Sequence, residues 1–470
     1  MRLEQGSERA PRPGAALAAS SLAFCLVLLD TSLVNVALPT IRQDLGASVA
    51  GLQWIVNAFS LALATLLMSA GAFVDRYGAR RLMFGGVAVF VLGSALAGAA
   101  NDTGALIGAQ AALGVGAALL LPASLSLLTH AYPDPARRAL AVGIWSSTAA
   151  VAFATSPLLA GLLIAVGGWR AMFAVNLPFA VAVVALLVRH VRETPTRIGH
   201  GMDLAGQCAA MIALASMTYA LIESRPLGWT SAAVIGSLTA FVIATGMFVA
   251  VERRSNDPML PLGLFSVRGF SSSIAAGVLV SISVYGQLFL LALYLQAGRG
   301  LTPLRMGLVY LAQPAATAMI GIPIGRLIGR IGARVPLIAG GVAGAAGSLL
   351  LAATIGRSTS YTVIILALSL FGIAGGSVVP AVYSTAMASV PASQVGVASS
   401  ALNAARQTGG VLGIAVLGGL VSASNFASGL PLPMALCALS FAGVSLVGVR
   451  MRSAPRAAGL SSPAPAPARA

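Results

Sequence analysis

The chain has 470 residues, of which 58% are hydrophobic and only 9% charged, with a mean hydropathy of +0.92. A water-soluble globule of that length needs far more polar surface, so composition excludes that class and points to an integral membrane protein. The net charge of +16 comes from 28 basic residues, all arginine, dispersed between apolar runs without aromatic interleaving, so no nucleic-acid partner is expected.

A bilayer crossing needs about 20 apolar residues of helix. Runs of that length lie near 15–38, 52–72, 82–100, 104–128, 139–166, 170–188, 203–222, 231–251, 271–297, 306–328, 335–355, 361–383, 394–421 and 433–449, which makes fourteen. The first follows Arg2, Arg9 and Arg12 as a signal peptide would, but thirteen more follow it and Asp30 interrupts its apolar core, so it reads as a retained helix. With the N-terminus inside, 21 arginines fall on inner segments and six on outer loops (Arg42, Arg170, Arg225, Arg299, Arg305, Arg357), with Arg406 at or inside span thirteen. That asymmetry places both termini in the cytoplasm of a cell whose inner (plasma) membrane holds the chain. The Pro- and Ala-rich end, 451–470, is expected to be a disordered tail.

One stretch is written twice. Gly71-Ala-Phe-Val-Asp75-Arg76-Tyr-Gly78-Ala-Arg80-Arg81 returns 254 positions later (325 minus 71) as Gly325-Arg-Leu-Ile-Gly329-Arg330-Ile-Gly332-Ala-Arg334. A second pair, Leu113-Gly114 to Pro122-Ala123 and Phe371-Gly372 to Pro380-Ala381, has an offset of 258 (372 minus 114). The first pair joins spans two to three and ten to eleven, so the repeat is six helices long. The expected fold class is therefore all-α integral membrane: a tail (1–14), a six-helix bundle (15–190), an inserted two-helix hairpin with flanking loops (191–256), a second pseudo-symmetric six-helix bundle (257–450) and the tail. Duplicated bundles around a central cavity are an architecture of rocking-type transporters.

The block from Gly71 to Arg81 resembles motif A of the major facilitator superfamily. Leu29-Asp30-Thr-Ser-Leu-Val-Asn35-Val-Ala-Leu-Pro39, Gln53-Trp54-Ile-Val-Asn57, Gly168-Trp169-Arg170 to Asn176-Leu-Pro178, and Asn403-Ala-Ala-Arg406-Gln407-Thr-Gly409-Gly410 resemble segments of its fourteen-span drug:proton antiporter branch. The resemblance implies a multidrug efflux type of transporter that uses the proton gradient and needs no cofactor.

Asp30 is the one carboxylate well inside a predicted span. Ionised in hydrocarbon it costs at least a few kcal/mol, so it is expected to face the cavity and accept the coupled proton. The alternative is a structural Asp30, bonded to backbone or to Asn35. Asp75, at a cytoplasmic helix end with Arg76, Arg80 and the turn residues Gly71 and Gly78, reads as a gate latch that can bond a neighbouring helix N-terminus or loop arginine. Gly329 replaces the acid in the second copy, and Arg80 and Arg81 can serve membrane orientation alone.

Span four carries Gln110 and Leu113 where the family often has Arg and Gln, so coupling falls to Asp30, helped by Arg406 unless that arginine is only a helix-end residue. Span five, with Gly143, Ala152, Ser156-Pro157, Ala160 and Gly161, resembles an antiporter motif associated with export; ordinary small-residue packing explains the same residues. Candidate cavity liners are Trp54, Asn57, Trp145, Phe153, Tyr285, Gln287, Tyr294, Tyr310 and Gln313. So apolar a lining suits small hydrophobic or amphipathic compounds better than sugars or phosphates.

The leading expectation is a monomeric exporter of drugs or antibiotics in exchange for protons. The runner-up is a dedicated exporter of one metabolite, amino acid or lipid. A membrane-embedded enzyme is disfavoured, because His130, His190 and His200 lie in loops without ligand spacing and no Walker motif occurs. Cys25, Cys208 and Cys437 stand singly in apolar runs, so neither a disulfide nor a metal site is expected.

Overall fold

The computed structural model describes residues 13–194, 203–255, 260–356, 358–391, 394–421 and 429–451. The expected cytoplasmic and disordered tails lie outside these residues except for 13–14 and 451, as does His200. The helices in chain order are α1 (Pro13–Leu45), α2 (Val49–Tyr77), α3 (Ala79–Gly98), α4 (Thr103–Ala131), α5 (Pro135–Gly167), α6 (Ala171–Ala174), α7 (Asn176–His190), α8 (Leu204–Leu227) and α9 (Ala232–Arg254). They continue with α10 (Arg268–Leu293), α11 (Pro303–Tyr310), α12 (Ala312–Ile331), α13 (Arg334–Thr354), α14 (Tyr361–Ala388), α15 (Val395–Gly419) and α16 (Pro431–Arg450). Several acids of this acid-poor chain cap helices. Asp102, Asp134 and Asp203 accept backbone N–H bonds at 2.8, 2.9 and 2.7 Å at the starts of α4, α5 and α8.

Thirteen spans are long and apolar enough to cross a membrane among the described residues, with residues 171–190, 268–298 and 303–331 each counted as one. Helix α15 is long enough as well, but Asn403, Arg406 and Gln407 dilute its hydropathy.

Loop contacts define two faces. On one, here the distal face, Asp44 in the last turn of α1 accepts from Trp169 Nε1 at 2.9 Å and from Arg170, which also donates to the Ala100 carbonyl after α3 at 2.9 Å. On the other, the proximal face, the turn between α2 and α3 meets Glu193 and Thr194 after α7.

The pairings within α1–α7 recur within α10–α16. Helix α3 packs on α4 as α13 does on α14, α2 on α4 as α12 on α14, and α1 on α5 as α10 on α15. The correspondence reaches single atoms. A Cβ on Gly114 would run into the Phe59 carbonyl and the Ala62 methyl, and one on Gly372 into the Gln313 carbonyl and the Ala316 methyl. The two copies of the repeated stretch turn on glycines with φ of +89° at Gly78 and +82° at Gly332, a backbone region that penalises any Cβ.

Between the two sets, α2 packs on α15 and α5 on α11 and α12. At the distal face the sets are bonded directly. Gln53 Nε2 donates to the Ile414 and Ala415 carbonyls at 2.7 and 3.0 Å, and Gln296 Nε2 to the Val36 carbonyl at 2.6 Å. Helices α8 and α9 form an antiparallel pair. Helix α8 lies in the groove between α2 and α15, and α9 packs on α8 with most of its surface exposed.

Candidate proton and substrate site

Asp30 lies midway along α1 and is 2% exposed. Its Oδ1 accepts from Asn176 Nδ2 of α7 at 3.2 Å, and the same amide donates to Ser94 Oγ of α3 at 2.9 Å, which in turn donates to the Phe173 carbonyl at 2.8 Å. The expected alternative partner, Asn35, is turned away and donates to the Thr31 carbonyl at 3.1 Å. Asp30 Oδ2 has no hydrogen-bond partner. The residue lines a small cavity with room for about one water, walled by Asp30, Thr31, Val34, Val56, Phe59, Ser60, Gln110 and Tyr285. Gln110 Nε2 in the same wall is also buried and unpartnered.

Arg406 is not bonded to Asp30. It sits on α15 between α10 and α14, its Nη1 donating to Tyr383 Oη at 3.4 Å and its Cζ 5.7 Å from the Tyr383 ring centre. Its Nε is buried without an acceptor, and its Cγ would lie 3.1 Å from a Cβ on Gly277. It is therefore an embedded arginine rather than a helix-end one. Tyr285 connects the two regions. Its ring rests on Gly410 and lines the Asp30 cavity, while its hydroxyl donates to Gln407 Oε1 at 3.5 Å.

The other expected cavity liners scatter. Trp54 Nε1 is bonded to Glu223 Oε1 of α8 at 2.8 Å, so its polar edge points to the α8–α9 pair. Asn57 is fully buried with neither amide atom partnered. Trp145 stacks on Phe24 with ring centres 4.1 Å apart, and Phe153 is half-buried on α5. Gln287 Nε2 donates to Gln313 Oε1 at 3.1 Å and Tyr310 to the Leu288 carbonyl at 2.9 Å, which ties these three into the packing of α10–α12. Tyr294 is buried on the distal side and donates to the Gly356 carbonyl at 2.5 Å.

The span-five residues divide in the same way. Ser156 Oγ donates to the Leu29 carbonyl at 3.1 Å, next to Asp30. Gly161 and Gly307 let α5 and α11 touch backbone to backbone: a Cβ on Gly161 would lie 2.6 Å from Leu304 Cα, and one on Gly307 would meet the buried Pro157 carbonyl. Gly143 is exposed with nothing within 4 Å, so the close packing expected of it is not made.

At the proximal face Asp75 and Arg76 are exposed, and Asp75 is part of neither ion pair found among the described residues. Gly71 likewise faces open space. The carboxylate engaged there is Glu193, which accepts from the Arg80 and Arg81 backbone N–H groups at 2.9 and 3.1 Å and lies 3.6 Å from Arg81 Nε. Thr194 Oγ1 accepts from the Ala79 N–H at 2.8 Å, and Arg80 Nε donates to the Leu187 carbonyl at 3.2 Å. Sequence reasoning counted Glu193 only as a loop charge. Its adjacency to Thr194, two acceptors just past a basic helix end, was the available signal. Ser94, Gln207 and Glu223 were likewise missed, although each is a polar residue in or near an apolar run, and Asn176 was read only as part of a family segment and not as the partner of Asp30.

Two like bundles bonded at one face, with Asp75 exposed on the other and a buried carboxylate on a residue lining a cavity between them, have the architecture of a membrane transporter. The chain belongs to the Major Facilitator Superfamily, whose profile matches residues 20–414 and, in a second placement, 273–469. The multidrug resistance protein Stp of Mycobacterium tuberculosis is 38% identical over 407 residues, 87% of this chain and 75% of that protein. The methylenomycin A resistance protein of Streptomyces coelicolor is 33% identical over 88% of this chain and 86% of that one. Among solved structures, a bacterial homologue of the human lysosomal transporter Spinster, inward-facing and unoccupied, matches with a TM-score of 0.66 at 18% identity, over 94% of this chain and 98% of that one, a likeness of fold.

Proposed function

We propose that the chain exports small hydrophobic or amphipathic compounds, drugs and antibiotics among them, across the plasma membrane in exchange for protons. The observation that carries the reading is Asp30: a buried carboxylate with an unpartnered oxygen, on a residue that lines a cavity walled by both bundles. A group so placed can load and release a proton as the bundles move, and the proton gradient serves as the energy source without a cofactor. Arg406 supplies positive charge on the opposite bundle.

In this reading α15 is the fourteenth crossing. The bundles are 15–190 and 257–450, and 191–256 is an inserted hairpin. Both termini are cytoplasmic, so the proximal face is the inner one and the structure is inward-facing. Asp75, Arg76 and Arg80 form the cytoplasmic latch in the opposite, outward-facing state, which explains why Asp75 is idle here. Substrate enters between the bundles past Trp145, Phe153 and Asn57. The transporter works as a monomer.

The test is substrate-dependent proton release from everted vesicles across a compound panel, with Asp30→Asn beside wild type. The expected result is proton-coupled uptake by wild type and none by the variant, with equal amounts of folded protein in the membrane. Full activity in Asp30→Asn would remove it from the mechanism. One observation favours a dedicated exporter instead: a relative is named for resistance to a single compound, methylenomycin A. Transport of one compound and refusal of the rest of the panel would select that reading.

A further inference from the structure

The cavity at Asp30 has an unusual construction. Two of the residues lining it, 2% and 1% exposed, each carry a buried polar atom without a partner among the described residues, the acceptor Asp30 Oδ2 and the donor Gln110 Nε2. Buried polar atoms seldom stay unpaired, and the space fits about one water, which can donate to the carboxylate and accept from the amide. The walls come from α1, α2 and α4 of the first bundle, with one exception: Tyr285, on α10 of the second. The ring that closes the cavity thus belongs to the body that moves relative to Asp30.

We propose that this cavity is a single-water site that passes the coupled proton to and from Asp30, with Gln110 holding the water and the Tyr285 ring acting as its movable seal. The proposal rests on the proton-exchange reading above and adds the route and the gate. In loading, a hydronium formed at the site gives up one O–H bond while an O–H bond forms on Asp30 Oδ2, which leaves a neutral water on Gln110; release is the reverse. Among the described residues of the wall, the titratable groups are Asp30 and Tyr285. Arg406 stands behind Tyr285 on α15, and Asn176 is the neutral partner on α7. Gln110 is a positioning residue: it touches the water and not the carboxylate. With the ring in place the carboxyl exchanges its proton only when the bundles shift. Without it the site stays open to the cleft in every position, and each swing carries a proton across unaccompanied.

The test needs no knowledge of the substrate. The full chain is reconstituted in liposomes loaded with the pH dye pyranine, and the decay of an imposed pH difference is followed without any transported compound. Wild type and Tyr285→Phe, which keeps the ring, are expected to hold the gradient, whereas Tyr285→Ala should dissipate it at least about fivefold faster. Adding Asp30→Asn to Tyr285→Ala should abolish the leak, and adding Gln110→Leu, whose side chain cannot hold the water, should cut it about tenfold. A Tyr285→Ala protein as tight as wild type overturns the seal; a leak that survives Asp30→Asn or Gln110→Leu overturns the route. Monodisperse elution of each variant in detergent separates these outcomes from misfolding. The exporter reading is tested independently by the everted vesicles, so either can fail while the other stands.

Discussion

The distal and proximal faces are built from the same duplicated helices and end in opposite states. At the distal face the bundles are bonded through Gln53 and Gln296 and interlocked where α5 meets α11 at Gly161 and Gly307. At the proximal face the expected latch residue Asp75 is exposed, a Cβ on Gly71 would meet nothing, and the local carboxylate Glu193 binds the start of α3 rather than the second bundle. The distal closure rests on close packing at Gly161 and Gly307 and on the neutral amides of Gln53 and Gln296. The acid expected to latch the proximal face, Asp75, has Gly329 as its counterpart, so the duplication does not repeat that charge.

The comparison can be broken at its tightest point. Gly161→Leu forces a side chain into backbone, and overpacking of that kind costs about 1–3 kcal/mol, so the distal face should no longer close and efflux measured in vesicles should fall to the level of an empty vector. Wild-type efflux from Gly161→Leu would mean that the α5–α11 contact is not part of the cycle. Next in size is Asp75→Asn. It loses nothing in the structure described, so its thermal midpoint should match wild type, while export should drop about tenfold as a charge-assisted bond worth roughly 1.5 kcal/mol is lost from the latched state. A lowered midpoint with unchanged export would reverse that assignment.

Smaller effects sharpen the two faces separately. Gln53→Ala removes two bonds that together hold the distal face, each contributing about 0.5–1.5 kcal/mol, and should raise the labelling rate of a cysteine at Ala415 by about fivefold. Glu193→Ala uncaps α3 at the proximal face and is expected to cost about 1 kcal/mol, seen as a melting point lower by a few degrees with export largely kept.

Much of the frame was legible before the structure. The offset of 254 placed two turns that both prove to need positive φ, and the offset of 258 marked two glycines that admit a neighbouring helix at equivalent atoms. Close backbone approach is local chemistry, and glycine spacing records it directly. Burial of Asp30 was readable for the same reason, since a lone acid in an apolar run has nowhere else to go. The partners were not readable. Asn176 is 146 positions from Asp30, and Gln207 binds Thr65 and Ser69 across 142 and 138 positions, pairings set by which helices become neighbours and invisible to hydropathy. The partner of Trp54 was hidden on the same account, because its bond to Glu223 depends on α8 docking in the groove of α2 and α15.

The central claim is that the bundles exchange these two faces. It is tested most directly by distances between spin labels on opposite bundles, one pair at the exposed distal residues Gln43 and Arg305 and one at the exposed proximal residues His130 and Arg330, with Cys25, Cys208 and Cys437 replaced by serine or alanine. The account predicts that in lipid vesicles the distal pair is short while the proximal pair is long, and that Asp30→Asn, as a mimic of the protonated carboxyl, shifts the populations of both pairs in opposite senses. Distal and proximal distances that lengthen together, or that ignore Asp30→Asn, would contradict it.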